Sequence, residues 1–215
     1  MQKIVLQNIM PLLFVHSDNE IVSDIWMKNI ELEKGKSYLI EASSGKGKSS
    51  LLSFLLGYRD DYQGNILFDN ITLRNIKPNQ WSYIRKNNIS MLFQELRLFP
   101  ELTAIENIQI KNNITKFNTL QNIKNQFERL GIEDKINTKV GLLSYGQQQR
   151  VAFIRSLCQP FDFLLLDEPI SHIDNNNANI INQMIKERIE NDDVGVVATS
   201  IGRALPMNYD IILNM

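Results

Sequence analysis

The stretch Ala42-Ser43-Ser44-Gly45-Lys46-Gly47-Lys48-Ser49-Ser50 follows a short apolar run, Tyr38 to Ile40, and leads into an apolar helical pattern from Ser49 to Leu56. Glycines at this spacing let backbone N–H groups turn toward one anion, and a helix start adds a dipole of the right sign. Lys48 then reaches the β- and γ-phosphates of a nucleotide, and Ser49 can ligate Mg²⁺. The stretch reads as a phosphate loop, with Ala42 where the pattern has its first glycine. A Gly/Ser-rich surface turn is the plainer alternative, and the strand before and helix after argue against it.

A second run, Phe163-Leu164-Leu165-Leu166-Asp167-Glu168-Pro169, brings two adjacent carboxylates to the end of a hydrophobic strand, where open α/β sheets bind ligands. Asp167 would hold Mg²⁺, directly or through water, and Glu168, pointing the other way, would polarise an attacking water as general base. Between the two runs lies Leu142-Leu143-Ser144-Tyr145-Gly146-Gln147-Gln148-Gln149-Arg150, followed by an apolar helix to Cys158. Ser144 and the N–H groups of that helix start make a second anion site. Taken alone, the segment also reads as an N-capped helix with a polar first turn.

The elements that position these residues follow from hydrophobic patterning. Tyr38 to Ile40, Ile89 to Phe93, Phe163 to Leu166, Val194 to Ala198 and Ile211 to Leu213 read as strands, with helical patterns between them, including Ile180, Ile181, Met184, Ile185 and Ile189 on one face. Alternating β and α elements predict a parallel sheet with helices on both faces. Residues 2 to 35 and 62 to 76 read as short antiparallel strands, with Tyr62-Gln63-Gly64-Asn65 as a turn. Thr103 and Glu106 form a capping box, and Leu120, Ile123, Phe127 and Leu130 before Gly131 mark a further helix. The expectation is one 215-residue α/β unit: residues 1–94 and 151–215 as core and antiparallel β lobe, and 95–150 as an inserted helical lobe.

Composition is that of an ordinary globular chain, with 43% hydrophobic and 22% charged residues and a formal net charge of -1. No block of like charges suits a nucleic-acid or lipid surface. Met1 to Met10 lack the apolar region of a secretory leader, and no run approaches the roughly 18 apolar residues of a membrane helix. Cys158, the only cysteine, sits among apolar neighbours, which suggests a buried thiol. These features predict a cytoplasmic chain. Trp26 and Trp81 read as packing residues.

The order phosphate loop, Leu143-Ser144-Tyr145-Gly146-Gln147, then Asp167-Glu168 resembles the ABC ATPase family, whose signature Leu-Ser-Gly-Gly-Gln is matched except at Tyr145. The resemblance covers nearly the whole chain and implies the P-loop NTPase fold, ATP and Mg²⁺ as ligands, and a sandwich dimer in which the signature contacts the γ-phosphate held by the opposite subunit. It implies that Gln94 is the Q-loop glutamine, touching Mg²⁺ and water and sensing a membrane partner. Ser171-His172-Ile173-Asp174 corresponds to the D-loop, with Ser171 and Asp174 at the dimer interface. Phe14 or His16 lies where an aromatic stacks on adenine, although a core aromatic fits Phe14 equally. Ser200 stands where the family has a γ-phosphate-contacting histidine; a hydroxyl has shorter reach and no titratable ring, so slow turnover is expected.

Phe93 to Pro100 and Leu102 to Asn107 look most like the branch of lipoprotein-release, macrolide-efflux and cell-division (FtsE-like) ATPases. The implied partners are a second ABC ATPase chain, identical or pseudo-symmetric, and an integral membrane permease that holds the chain at the inner membrane face. A DNA-repair ATPase of the same superfamily would need a long coiled coil between Ser50 and Leu143, and no sustained heptads occur there. A tandem-cassette translation factor would need a second copy. A slow or non-hydrolysing ATP-dependent switch on a membrane protein is the alternative function.

Overall fold

A computed structural model describes residues 1–15 and 22–215. Five strands form a parallel sheet: β3 (Ser37–Glu41), β6 (Ile89–Leu92), β7 (Phe163–Asp167), β8 (Gly195–Ser200) and β9 (Ile211–Asn214), in the order β6-β7-β8-β3-β9. Every residue of β7 and β8 is buried, as interior strands covered on both faces must be. A second, antiparallel sheet has the order β2-β1-β4-β5, from β1 (Lys3–Pro11), β2 (Asn29–Glu33), β4 (Tyr62–Phe68) and β5 (Ile71–Thr72). The fold is the expected P-loop α/β architecture with an added antiparallel sheet and helices.

The helices are α1 (Leu12–Val15), α2 (Lys48–Leu55), α3 (Pro78–Asn87), α4 (Ala104–Thr115), α5 (Leu120–Arg129), α6 (Tyr145–Ser156) and α7 (Asn175–Asp192). The parallel sheet divides the core by side-chain parity. Tyr38, Ile40, Phe163, Leu165 and Val197 pack with α2 and the antiparallel sheet. Leu39, Leu164, Leu166, Val196 and Ala198 pack with α4 to α7. The lobe helices therefore share one cluster with the sheet, through Ile108, Ile123, Phe127 and Phe153. Helix α6 runs without a break through residue 150, so the expected lobe boundary falls inside a helix that packs on both parts.

The capping box at α4 is present: Thr103 Oγ1 accepts from Glu106 N, and Glu106 Oε2 accepts from Thr103 N. In α5, Ile123 and Phe127 are buried while Leu120 is 51% exposed, so the inward stripe is narrower than the sequence suggested. Helix α3 was not anticipated. None of its residues is buried, so it carries no strong apolar stripe to read. Among the described residues no helix is long and apolar enough to cross a membrane.

Tyr62 to Asn65 form no turn; they begin β4. Gly64 suggested a turn because it does need a left-handed backbone, at φ 82, but the cause is a bulge. Pairing between β1 and β4 jumps from Gln7 with Asn65 to Met10 with Gln63. Asn8 there has φ 49, and a Cβ on Gly64 would lie 2.4 Å from the Asn8 carbonyl oxygen. Gly64→Ala should accordingly lower unfolding free energy by about 1–3 kcal/mol. A urea unfolding midpoint equal to that of the parent chain would show that the bulge does not require glycine.

Candidate nucleotide site

The phosphate loop links β3 to α2. Gly45 and Gly47 have φ 81 and 101, values a side chain adopts only with strain. A Cβ on Gly47 would lie 2.8 Å from Trp26 and 3.0 Å from Phe14. Trp26 is buried, and its indole Nε1 donates to the Lys46 carbonyl at 3.1 Å. It is thus a buttress that shapes the loop as well as the packing residue its sequence context suggested. The signal was an aromatic with a polar end, but only the fold brings it to the loop. Lys48 Nζ donates to the carbonyls of Ala42 at 2.6 Å and Ser43 at 3.0 Å, drawing the loop around its ammonium. Burial lowers the Lys48 pKa, while Glu168 and Asp167 oppose the fall.

Asp167 joins three elements. Ser49 Oγ donates to Asp167 Oδ2 at 2.9 Å, and Thr199 Oγ1 donates to Asp167 Oδ1 at 2.7 Å. Glu168 N donates back to Thr199 Oγ1 at 3.2 Å. Glu168 itself has φ 49, a left-handed turn that ends the strand. Its Oε2 accepts from Gln94 Nε2 at 3.3 Å. Burial raises the Glu168 pKa, Lys48 works against the rise, and Asp167 adds to it.

A cavity of about 240 Å³ opens here, lined by Phe14, Ser44, Gly47, Lys48, Gln94 and Glu168 among others. The structure thus gathers the phosphate-loop residues, Gln94, Glu168 and Phe14 in one place. His16 lies outside the described residues. Ser200 does not line the cavity; Ile201 does. Ser200 shares the parity of Val196 and Ala198, which face α4 to α7, whereas Thr199 shares that of Val197, on the side of the loop. The Ser200 hydroxyl is buried and has no hydrogen-bond partner among the described residues.

None of Leu143 to Gln147 lines the cavity. Leu143 is buried in the lobe. Ser144 is the N-cap of α6, accepting from Gln147 N at 3.3 Å, while Gln147 Oε1 accepts from Ser144 N at 2.9 Å. The N-capped reading and the anion-site reading describe the same helix start. Tyr145 turns aside: its hydroxyl donates to the Gln94 carbonyl at 3.0 Å, and its ring meets His172 edge-on at 4.4 Å. A Cβ on Gly146 would come within 2.8 Å of the His172 carbonyl oxygen. Ser171 Oγ lies 3.0 Å from His172 Nδ1, and Asp174 caps α7 through Asn177 N at 2.9 Å. Gln149, unremarked in the sequence, is buried; it donates to the Glu168 carbonyl at 3.3 Å and accepts from His172 N at 3.2 Å. Only its position as the inward member of the run Gln147 to Gln149 separates it from its neighbours.

A family model described as ABC transporter matches residues 27–171. The chain belongs to the ABC transporter family. It is 32% identical over 190 residues to the lipoprotein-releasing system ATP-binding protein LolD of Buchnera aphidicola, covering 87% of this chain and 83% of that protein. It is 31% identical over 182 residues to an uncharacterized ABC transporter ATP-binding protein of Mycobacterium tuberculosis, and the match covers 55% of that protein's length. The solved dimeric structure of MJ0796, a bacterial ABC transporter cassette, superposes with a TM-score of 0.76 at 29% identity, covering 92% of this chain and 87% of that one. A second structure of that cassette, described as a dimeric post-hydrolysis state bound to ADP and Pi, gives 0.76 at 25% identity over the same shares of the two chains.

The ABC chain's donor set fits Mg²⁺. Ser49 and Asp167 offer hard oxygens beside the phosphate loop, with Gln94 next to them, and Mg²⁺ prefers few protein ligands supplemented by phosphate and water. Among the described residues no three His, Cys, Asp or Glu side chains cluster into an all-protein metal cage. Ser200→Ala should leave the nucleotide-free protein as stable as the parent or more stable by up to about 1 kcal/mol, since the hydroxyl makes no hydrogen bond among the described residues. Thermal unfolding checks this, and a clear drop in Tm would reveal a partner for the hydroxyl.

Proposed function

We propose that this chain is the ATP-binding and ATP-hydrolysing subunit of an ABC transporter or a related mechanotransmission complex, driving a membrane permease by ATP-dependent dimer closure. The observation that carries the reading is the shared hydrogen-bonded network of Ser49, Asp167, Thr199, Glu168 and Gln94 at the mouth of the phosphate loop. Lys48 and the loop N–H groups would bind the β- and γ-phosphates, Phe14 would stack on adenine, and Ser49, Asp167 and Gln94 would hold Mg²⁺. The metal, when bound, would neutralise charge on the phosphates. Glu168 would take a proton from the attacking water, and Gln94 would orient its carboxylate.

Dimerisation completes the site in this reading. Ser144 and its helix start are exposed and stand outside the cavity of their own chain, which supports their serving the γ-phosphate of an opposite subunit. Ser171 and Asp174 would lie at that interface. The dimer is of identical or pseudo-symmetric chains, the whole of 1–215 acts as one ATPase domain, and the subunit works at the cytoplasmic face of the membrane through its permease, without nucleic acid. Its branch relative LolD supports a lipoprotein-release or FtsE-like setting. The docking surface is the groove bordered by Gln94 to Pro100, where Phe99 is 51% exposed while Leu96 is buried. The placement of the Ser200 hydroxyl away from the cavity favours a second reading, a slow ATP-dependent switch.

Glu168→Gln should lower turnover roughly 10² to 10⁴-fold while leaving Mg-ATP binding intact. Because the base works only when ionised and burial raises its pKa, parent turnover should climb with pH through a limb above the ordinary glutamate range. That limb should vanish in Glu168→Gln; its persistence would assign the base elsewhere. Lys48→Ala should abolish ATP binding by the monomer, whereas Ser144→Arg should spare it and block ATP-dependent dimerisation measured by light scattering. Equal loss of monomer affinity in both variants would contradict a site divided between subunits.

A further inference from the structure

Beyond the C-terminal end of α2, between β4 and α3, lies a cavity of about 530 Å³, within the roughly 300–1,000 Å³ usual for small-molecule sites. Its floor is apolar. Phe54, Tyr62, Leu73 and Ile76 are buried there, and the Phe54 and Tyr62 rings lie 4.8 Å apart. Polar groups converge on Tyr62. Its hydroxyl has no hydrogen-bond partner among the described residues, although the residue is only 4% exposed and its carbonyl accepts from Arg74. The Arg74 guanidinium lies 4.8 Å from the centre of the Tyr62 ring and also donates to the Gly64 carbonyl at 3.1 Å. Asp60 lines the same cavity two residues before Tyr62, whose amide donates to the Asp60 carbonyl at 2.9 Å.

Neither Asp60 nor Arg74 enters an ion pair among the described residues. Arg59, also on the cavity wall, is by contrast paired with Asp61. Burial raises the Tyr62 pKa, Arg74 works against the rise and Asp60 adds to it, so opposite charges act on one phenol. Asp60 and Arg74 are exposed, and water satisfies them while the cavity is open. A ligand lying on the apolar floor displaces that water and must supply one positive and one negative group in its place. A simple anion would meet Asp60, a simple cation would meet Arg74, and a neutral apolar body would leave both charges desolvated. A zwitterion with an apolar body satisfies the floor and both charges together.

We propose that this cavity is an effector site for a free α-amino acid with an apolar side chain, its carboxylate toward Arg74, its ammonium toward Asp60 and its side chain on Phe54 and Tyr62. The seat stands without the ATPase reading; its effect on nucleotide binding rests on that reading. Arg59 connects the two sites. Its guanidinium lies over the Phe54 ring at 5.4 Å and donates to Ser50 Oγ at 3.0 Å, and Ser50 lines the nucleotide cavity. The seat and the phosphate loop thus occupy opposite ends of one eight-residue helix, α2. Ordering that helix for one ligand lowers the cost of ordering it for the other.

The test is isothermal titration calorimetry of the full, nucleotide-free chain with L-leucine, L-phenylalanine and L-tryptophan. At least one should bind at millimolar concentration or below. Its N-acetyl and its amide derivatives should each bind at least roughly 10-fold more weakly, because each leaves one charge of the seat desolvated without a partner. Asp60→Asn, in an exposed loop, should weaken the parent amino acid by a similar factor with Tm kept, and Tyr62→Phe, which keeps the ring on its floor, by roughly 3- to 10-fold. No binding by any of the three, equal binding of the acetylated and amidated forms, or an affinity unchanged in both Asp60→Asn and Arg74→Gln overturns the seat. With the seat filled, Mg-ATP should bind roughly 5-fold more tightly or better, and Ser50→Ala should abolish that gain while leaving amino-acid affinity as it was. An amino acid that binds without tightening Mg-ATP overturns the link through Arg59. Failure of the parent chain to bind Mg-ATP at all would sink the ATPase reading and spare the seat.

Discussion

The two oxygens of Asp167 accept from two different parts of the chain: Ser49 at the start of α2 and Thr199 near the end of β8. This pairing depends on strand parity. Phe163, Leu165 and Asp167 alternate onto one face of the sheet, and Val197 and Thr199 onto the same face of the neighbouring strand, in register with Asp167 opposite Thr199. A slip of one residue would turn Asp167 toward the lobe helices and leave a carboxylate in their hydrophobic cluster. The long apolar run of β7 therefore stabilises the sheet and also fixes the direction of the carboxylate that follows it. Glu168, turning through a positive φ directly afterwards, faces a different environment from its neighbour despite the single bond between their residues.

From that pair a continuous set of contacts crosses into the helical lobe. Gln94 touches Glu168 through its side chain and Tyr145 through its carbonyl. Gln149 holds the Glu168 carbonyl on one side and the His172 amide on the other. Arg155, from the far end of the same α6, secures the segment just beyond Gln94. One helix thus contacts Glu168, Gln94 and the loop after it. Small shifts of α6 would be felt at each of these points, since packed side chains transmit displacement. Physical continuity of this kind is the least that an ATP-driven device needs; the coupling energy along it is a separate quantity.

Much of this was legible in the chain. The phosphate loop and the acidic strand end announced themselves because their backbone demands are local: glycines for turns, apolar runs for buried strands, a capping box for α4. What escaped reading was non-local. Trp26 is separated from the loop it braces by twenty residues, and its role depends on the approach of Gly47. Gly64 signalled an unusual backbone correctly, but a turn and a bulge demand the same φ, and only the partner strand distinguishes them. Helix α3 has no buried side chain to betray its period. The motif resemblance drew attention to Ser200 because of the residue it replaces, yet parity along β8 gives the inward-facing hydroxyl on the nucleotide side to Thr199.

Tyr145 illustrates how a departure from a motif can be absorbed. A glycine at a helix start serves partly by leaving room, and a bulky ring there would be expected to block the approach of an anion. Tyr145 is the first residue of α6 and is not among the residues with positive φ, so the backbone does not require glycine. Gly146 does carry a steric demand, since its missing Cβ admits the His172 carbonyl. The Tyr145 ring lies against His172 and its hydroxyl against Gln94, which draws its bulk to the side of the helix axis. Ser144, at the N-cap of α6, stays exposed beside it. The substitution exchanges empty space for a tether between the helix start and Gln94, and a side-chain change of this kind leaves the backbone dipoles of α6 in place.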